Sequence, residues 1–333
     1  MTKLYFHTVL DQKPELVNPS SKLVSDAAKK AIETIDAGVA FYLSQLTQLE
    51  TKLYEVKYRN IIYQDFIPVD TSGPDWIDSF SYISFDAVTM GKFIGANPTD
   101  IPRAQIDRAI TNVPLFLGGI GYTYSLDELR KSQAMGQSLD SAQAMAANRG
   151  FQEHAQKVAF SGDATRNITG LFNNANISIT AAAGLWTALT NDQIVDSMND
   201  LLIEVWSNSA NVHVPNVLLL PSDRWSLISS RRMADGTDTT ILEYYRKNNL
   251  YTQITGGELT IKPILELQTA GAAGVHRMMA YELNDENLTM RMPMSLRFVP
   301  PQPNGLAIDV DGEYKFGGVE FRYPGSAGYV DGI

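Results

Sequence analysis

The period of the apolar positions changes several times along the chain, and each change marks an element. The first 24 residues show no sustained period and hold Pro14, Asn18 and Pro19, which predicts an extended arm. Val39, Leu43, Leu46, Leu49 and Leu53 then recur at steps of four, three, three and four, as on one face of a helix. Over 76–85 the pattern alternates, with Trp76, Phe80 and Tyr82 on one face behind the turn signal Thr71-Ser72-Gly73-Pro74. A second extended run over 105–124 ends with Ile120, Tyr122 and Tyr124 on one face. The two runs, joined through Gly95-Ala96-Asn97-Pro98-Thr99-Asp100-Ile101-Pro102, predict a long hairpin with little core of its own.

Ser125-Leu126-Asp127-Glu128 has the form of a capping box, so a helix should open there and run to Ser161-Gly162-Asp163. Leu126, Leu129, Met135, Leu139, Ala142, Met145, Phe151, Ala155 and Val158 carry its apolar face, and Gly136 is where it would kink or break. About 35 residues of helix would span about 50 Å, the length of a strut. Residues 163–190 read as loop with weak strand. A second capping box, Thr190-Asn191-Asp192-Gln193, opens a helix carrying Ile194, Met198, Leu201, Leu202 and Val205. Next come a buried strand over 216–220, short helices around Trp225 and over 242–245, and strands over 259–267 and 276–283, as in a compact α/β subdomain. The last fifty residues are mostly extended, and Val319 and Phe321 alternate with Glu320 and Arg322 as in a half-buried strand. The stretch 317–333 should return to the domain of the long helix.

Composition narrows the class. Of 333 residues 44% are hydrophobic and 19% charged, a globular profile with slightly few charges, which suggests surface covered by partners. With no cysteine, disulfides and thiolate metal sites are excluded, and the sequons at Asn167, Asn176 and Asn287 are read as coincidental. No apolar run reaches the roughly 20 residues of a membrane helix, so the chain is expected to be soluble, cytosolic in origin and without membrane contact. The net charge of −10, with scattered Lys and Arg, argues against a sequence-reading nucleic-acid binder but is compatible with a wall around nucleic acid. Residues 1–60 hold eight basic and seven acidic residues, so the negative charge lies beyond them.

The chemistry motifs fail one by one. His7, His154, His213 and His276 have no metal-ligand spacing. Gly118-Gly119-Ile120-Gly121 lacks the dinucleotide spacing and is read as backbone permissiveness in a strand. Gly325-Ser326-Ala327-Gly328 lacks the strand and helix of a nucleophile elbow, and Asp309-Val310-Asp311-Gly312-Glu313 is read as a turn rather than a calcium loop. No catalytic, cofactor or metal residue is assigned, and the chain is read as a self-assembling structural protein rather than an enzyme.

The order of parts resembles the major capsid proteins of tailed bacteriophages, whose fold is called Hong Kong ninety-seven-like and also builds encapsulin compartments. The resemblance covers 41–333 and is carried by Asn97-Pro98-Thr99-Asp100-Ile101-Pro102, Tyr124-Ser125-Leu126-Asp127-Glu128-Leu129 and Gly170-Leu171-Phe172-Asn173-Asn174. At the end it rests on Pro293-Met294, Pro300-Pro301-Gln302, Gly317-Gly318-Val319, Pro324-Gly325 and Asp331-Gly332-Ile333. It implies an α+β fold. An N-terminal arm would occupy 1–61. An extended loop and a peripheral domain, with a spine helix over about 125–160, would take 62–190. An axial domain would take 191–282, and the C-terminal strands, 283–333, would return to the peripheral domain. It further implies hexamers and pentamers of the chain itself, portal, scaffolding and decoration proteins as partners, and double-stranded DNA enclosed without sequence-specific binding in a virion assembled in host cytoplasm. An encapsulin-like compartment is the alternative. Lys92 falls in the mapped loop, but the partner motif of a subunit crosslink is missing. No fused scaffolding segment is expected before the arm.

Overall fold

The computed structural model describes residues 59–88, 105–135 and 139–333, and Asn60–Ile333 form one unit. The predicted helix over 39–53, Lys92, the 95–102 connection and Gly136 lie outside the described residues. A short helix, Tyr63–Phe66 (α1), buries Tyr63 and Phe66, and the Ile62 amide donates to Gln156 Oε1 at 2.9 Å. Strand Val69–Asp70 (β1) follows, then Ser79–Val88 (β2) and Gln105–Ser125 (β3). The last two pair antiparallel from Ser79↔Pro114 to Val88↔Gln105, which is the predicted hairpin. Trp76 stands before the strand and is 76% exposed, while Phe80 and Tyr82 are half-buried.

The capping box at Ser125 forms in both directions. The Glu128 amide donates to Ser125 Oγ at 3.1 Å, and the Ser125 amide donates to Glu128 Oε2 at 3.0 Å. Helix follows over Leu126–Met135 (α2) and Leu139–Ser161 (α3). It stops at Gly162, whose φ of +67° a side chain would strain and whose Cα faces the Ile168 carbonyl closely. Strand Ser178–Ala181 (β4) precedes helix Asn191–Asn208 (α4), which opens on the second capping box, Thr190 with Gln193. Strand Val217–Pro221 (β5) leads into helices Ser222–Ser230 (α5), Ile241–Lys247 (α6) and Leu250–Thr255 (α7), then strands Thr260–Ile264 (β6) and Arg277–Tyr281 (β7). The sequence pattern gave no notice of α7, whose six residues cover less than two turns. The chain closes on Leu288–Arg291 (β8), Met294–Phe298 (β9), Gln302–Asn304 (β10), Ala307–Gly317 (β11), Val319–Phe321 (β12) and Ala327–Asp331 (β13).

Three sheets result, in the orders β1-β8-β12, β10-β11-β3-β2 with β9 also on β11, and β4-β13-β7-β5-β6. The last sheet is the wall between two cores, and the side-chain alternation of its strands sorts residues between them. Val217, Leu219, Met279, Tyr281, Ala327 and Tyr329 face the core that holds Phe151, Val158, Phe160 and Phe172. Leu218, Leu220, Met278, Ala280 and Val330 face the core built by α4, α5 and α6 with Trp186 and Tyr245. Because both faces are covered, β5 reads as an unbroken apolar run.

Two readings from the sequence are corrected. Asp309 to Glu313 is not a turn but part of β11, continuous from Ala307 to Gly317 against β3. Asp309 is accommodated there by hydrogen bonds from Thr123 Oγ1 at 2.6 Å and Asn304 Nδ2 at 2.8 Å. Second, β12 is buried on both faces rather than half-buried. The side chain of Glu320 is 2% exposed because Arg322 Nε, at 3.2 Å, and Arg291 Nε, at 3.5 Å, neutralise it. The 317–333 stretch meets the core of the long helix at both ends: Val319 and Phe321 of β12 and Ala327 and Tyr329 of β13 share it with Phe151, Val158 and Phe160. Strand β13 inserts between β4 and β7, where Tyr329 faces that core and Val330 the other.

Candidate assembly surfaces

The hairpin is anchored along half its length. Strand β3 pairs with β11 from Ser125↔Ala307 to Leu115↔Gly317, then changes partner to β2 from Pro114 onward. Beyond that switch β2 has no partner but β3 among the described residues, so the free half is a two-stranded ribbon with an open edge. It presents Ile83, 52% exposed, and Ile110, 71% exposed, and Leu117 at the anchored end is 58% exposed. Alternation puts Phe80 and Tyr82 on one side and Ile83 on the other, so both sides carry apolar groups. A second open edge is β4, whose four residues are all exposed and include Ile179. Among the described residues no strand pairs along either of these open edges.

The root of the hairpin is held by charge. Three carboxylates on the strap that leads into β2 each meet a cation on a C-terminal strand. Asp70 pairs with Arg291 of β8, Asp75 with Arg297 of β9 at 3.0 Å, and Asp78 with Lys315 of β11 at 2.7 Å. Arg297 also holds Glu313 at 2.8 Å, and the Arg291 guanidinium lies 4.8 Å from the centre of the Phe80 ring. Burial alone would raise the Asp70 pKa, but the Ser72 hydroxyl and amide and the Arg291 charge bring it below the ordinary carboxylate value. Partners more than 200 residues apart leave no local signal, and the sequence pattern missed all three pairs.

The three described histidines each meet a neighbouring side chain. His154 Nδ1 sits 2.7 Å from the Tyr314 hydroxyl, and burial followed by the Lys157 charge lowers its pKa, so the neutral ring accepts that proton. Gly118 leaves the room the Tyr314 ring fills, since a Cβ there would stand 2.2 Å from it. His213 Nδ1 meets Glu282 at 2.7 Å. His276 accepts from Arg224 at Nδ1, 3.3 Å, and reaches Asp223 through Nε2 at 3.0 Å. His7 lies outside the described residues. Ser326 donates to the Tyr323 carbonyl, with no base beside it. Among the described residues no three His, Asp or Glu side chains gather as metal ligands, and no helix is long and apolar enough to cross a membrane.

A family model described as major capsid protein matches residues 90–333. The capsid of Myoviridae phage XM1 superposes with a TM-score of 0.73 at 17% identity, covering 87% of this chain and 98% of that one. The capsid of a native GTA particle gives a TM-score of 0.60 at 14% identity, covering 90% and 99%. A virus-like particle from Pyrococcus furiosus gives 0.50 at 13% identity, covering 80% and 91%. No curated protein sequence matches. Identities this low speak for the fold, while the family model covers most of the chain, and on the two together the chain belongs to the major capsid protein family and has the Hong Kong ninety-seven-like fold.

Proposed function

We propose that the chain assembles with itself into hexameric and pentameric capsomers, which form the icosahedral shell of a tailed-phage virion around double-stranded DNA. The observation that carries this reading is the free half of the hairpin, a ribbon with exposed apolar groups and no third strand paired to it among the described residues. Burying one large aliphatic side chain yields about 1.5–3 kcal/mol, so a neighbour that covers Ile83, Ile110 and Leu117 gains several kcal/mol toward the cost of association. Repeated around a closed ring, that contact is made by every subunit. In the same reading 1–61 is an arm, 62–190 the extended loop and peripheral domain, 191–282 the axial domain and 283–333 the returning strands. Portal, scaffolding and decoration proteins are further partners, and assembly takes place in host cytoplasm. The net charge of −10 suits a wall that encloses DNA without reading it.

Electron microscopy of the expressed chain, with extraction of particle contents, tests the proposal. Closed shells or capsomers are expected, with nucleic acid inside shells taken from infected cells. Monodisperse monomer at micromolar concentration overturns it, and a cargo enzyme in place of DNA assigns the chain to the encapsulin-like alternative.

A further inference from the structure

The three ion pairs at the hairpin root share an arrangement that none of them shows alone. All the carboxylates lie on the strap of residues 70–78, and all the cations lie on the C-terminal strands that form the body. Two of the cations are seated, Lys315 at 8% side-chain exposure and Arg291 at 15%, while Arg297 is 57% exposed and is also held by Glu313. The carboxylate of Asp78 is 93% exposed and that of Asp75 46%. The cations sit on sheet strands; Asp75 and Asp78 lie on irregular chain facing water, and Asp70 ends the short strand β1 beside β8.

Their location matters as much as their charge. Asp78 stands where β3 changes partner from β11 to β2, and its carbonyl accepts from the Leu115 amide at 2.9 Å while its carboxylate holds Lys315. The next two residues begin β2, and Phe80 lies under Arg291. Beyond this point no other described strand pairs with the ribbon, and Tyr82, Thr111 and Asn112 face residues 167–169 and β12 across a cleft. We propose that Asp70, Asp75 and Asp78 form an ionic clasp that sets the angle of the hairpin's free half against the body, with Arg291, Arg297 and Lys315 as its seats. The Asp75 and Asp78 pairs are weak on their own because those carboxylates are solvated, so this part of the clasp opens without unfolding either core. The ribbon then swings about the strand switch at Pro114 and Leu115. This property belongs to the single subunit and stands or falls apart from the shell reading.

The chain has no cysteine, so two introduced ones can carry spin labels without background. Labels at Ile110→Cys on the ribbon and Ile203→Cys on α4, both exposed positions, report the angle as a distance. Measurement in samples diluted with unlabelled chain keeps the signal within one subunit whatever the assembly state. A single narrow distance is expected at low salt. It should broaden in Asp75→Asn with Asp78→Asn, and in the unmutated strap at about 1 M salt, where the Debye length falls to about 3 Å. Exchange of charge, Asp78→Lys with Lys315→Asp, should restore the narrow distance to an Asp78→Lys chain. A distance that stays narrow in the double Asn variant overturns the proposal. Should that variant fail to fold, an unchanged distance across the salt series overturns it equally.

Discussion

Arg277 and Asp331 make the most deeply placed ion pair described, and replacing either one tests how the final strand is held. Arg277 Nε and Nη2 reach the two Asp331 oxygens at 2.6 and 2.7 Å, Nη1 donates to the Phe172 carbonyl at 2.6 Å, and the guanidinium lies 4.6 Å from the centre of the Tyr329 ring. The side chains are 5% and 11% exposed. Asp331→Ala leaves a buried cation with one carbonyl for company, a loss of about 3–5 kcal/mol, and Arg277→Ala strands the carboxylate at similar cost. In Arg277→Met with Asp331→Leu no charge remains, and only the bonds to the Phe172 carbonyl and the Ala272 amide are lost, about 1–2 kcal/mol. The double variant should therefore cost far less than the two single ones added. Urea unfolding of unassembled chain, followed by the buried Trp186, measures all three. The pair also has an acid signature. Burial would raise the Asp331 pKa, but the Arg277 hydrogen bonds, the Ala272 amide and the Arg277 charge outweigh it and hold the carboxyl below its ordinary value. Its stabilisation is present above the unfolded pKa of about 3.9 and is lost as pH falls through the lower folded one. Asp331→Ala should remove that part of the slope. A single substitution costing under about 1 kcal/mol, or a double equal to the sum, would refute the reasoning.

Gly118→Ala drives a methyl into the Tyr314 ring and should cost about 1–3 kcal/mol by thermal unfolding, with Tyr314→Leu in the same chain recovering part of it. His154 has a lowered pKa, so its contribution is present above the unfolded value of about 6.5 and is lost as pH falls through the folded one. His154→Gln should flatten the stability profile below pH 6.5, and an unchanged profile would show the ring to be indifferent to protonation. Ile83→Lys with Ile110→Lys alters exposed side chains, so folding stability should move by under about 0.5 kcal/mol while light scattering reports loss of assembly. Normal shells from that variant would remove the hairpin from the contact surface.

The legible parts of this fold were those written in local code. Both capping boxes form as spelled, and the period-2 runs become β2 and β3 because a ribbon with one half-buried side keeps its alternation. Codes failed where distant residues decide. The acidic run at 309–311 looks like a turn until Thr123 and Asn304 supply donors across the sheet. Glu320 reads as solvent-facing until Arg291 and Arg322 close over it. The surface for assembly was legible as a hairpin lacking a core, whereas the charges at its root were not, since each of their partners arrives more than 200 residues later.

The placement of β13 between β4 and β7 also sets a timetable. Strand β4 has no pairing partner but β13 among the described strands, and roughly 150 residues separate the two in the chain. At about 5–20 residues per second of synthesis, β4 emerges roughly 7–30 s before the strand it pairs with. During that interval β7, β5 and β6 can already pair, yet their sheet ends in an open β7 edge that any extended chain could occupy. The wall between the two cores is thus completed last, and over the about 46 residues from β7 to β13, roughly 2–9 s of synthesis, the nascent subunit carries that edge uncovered.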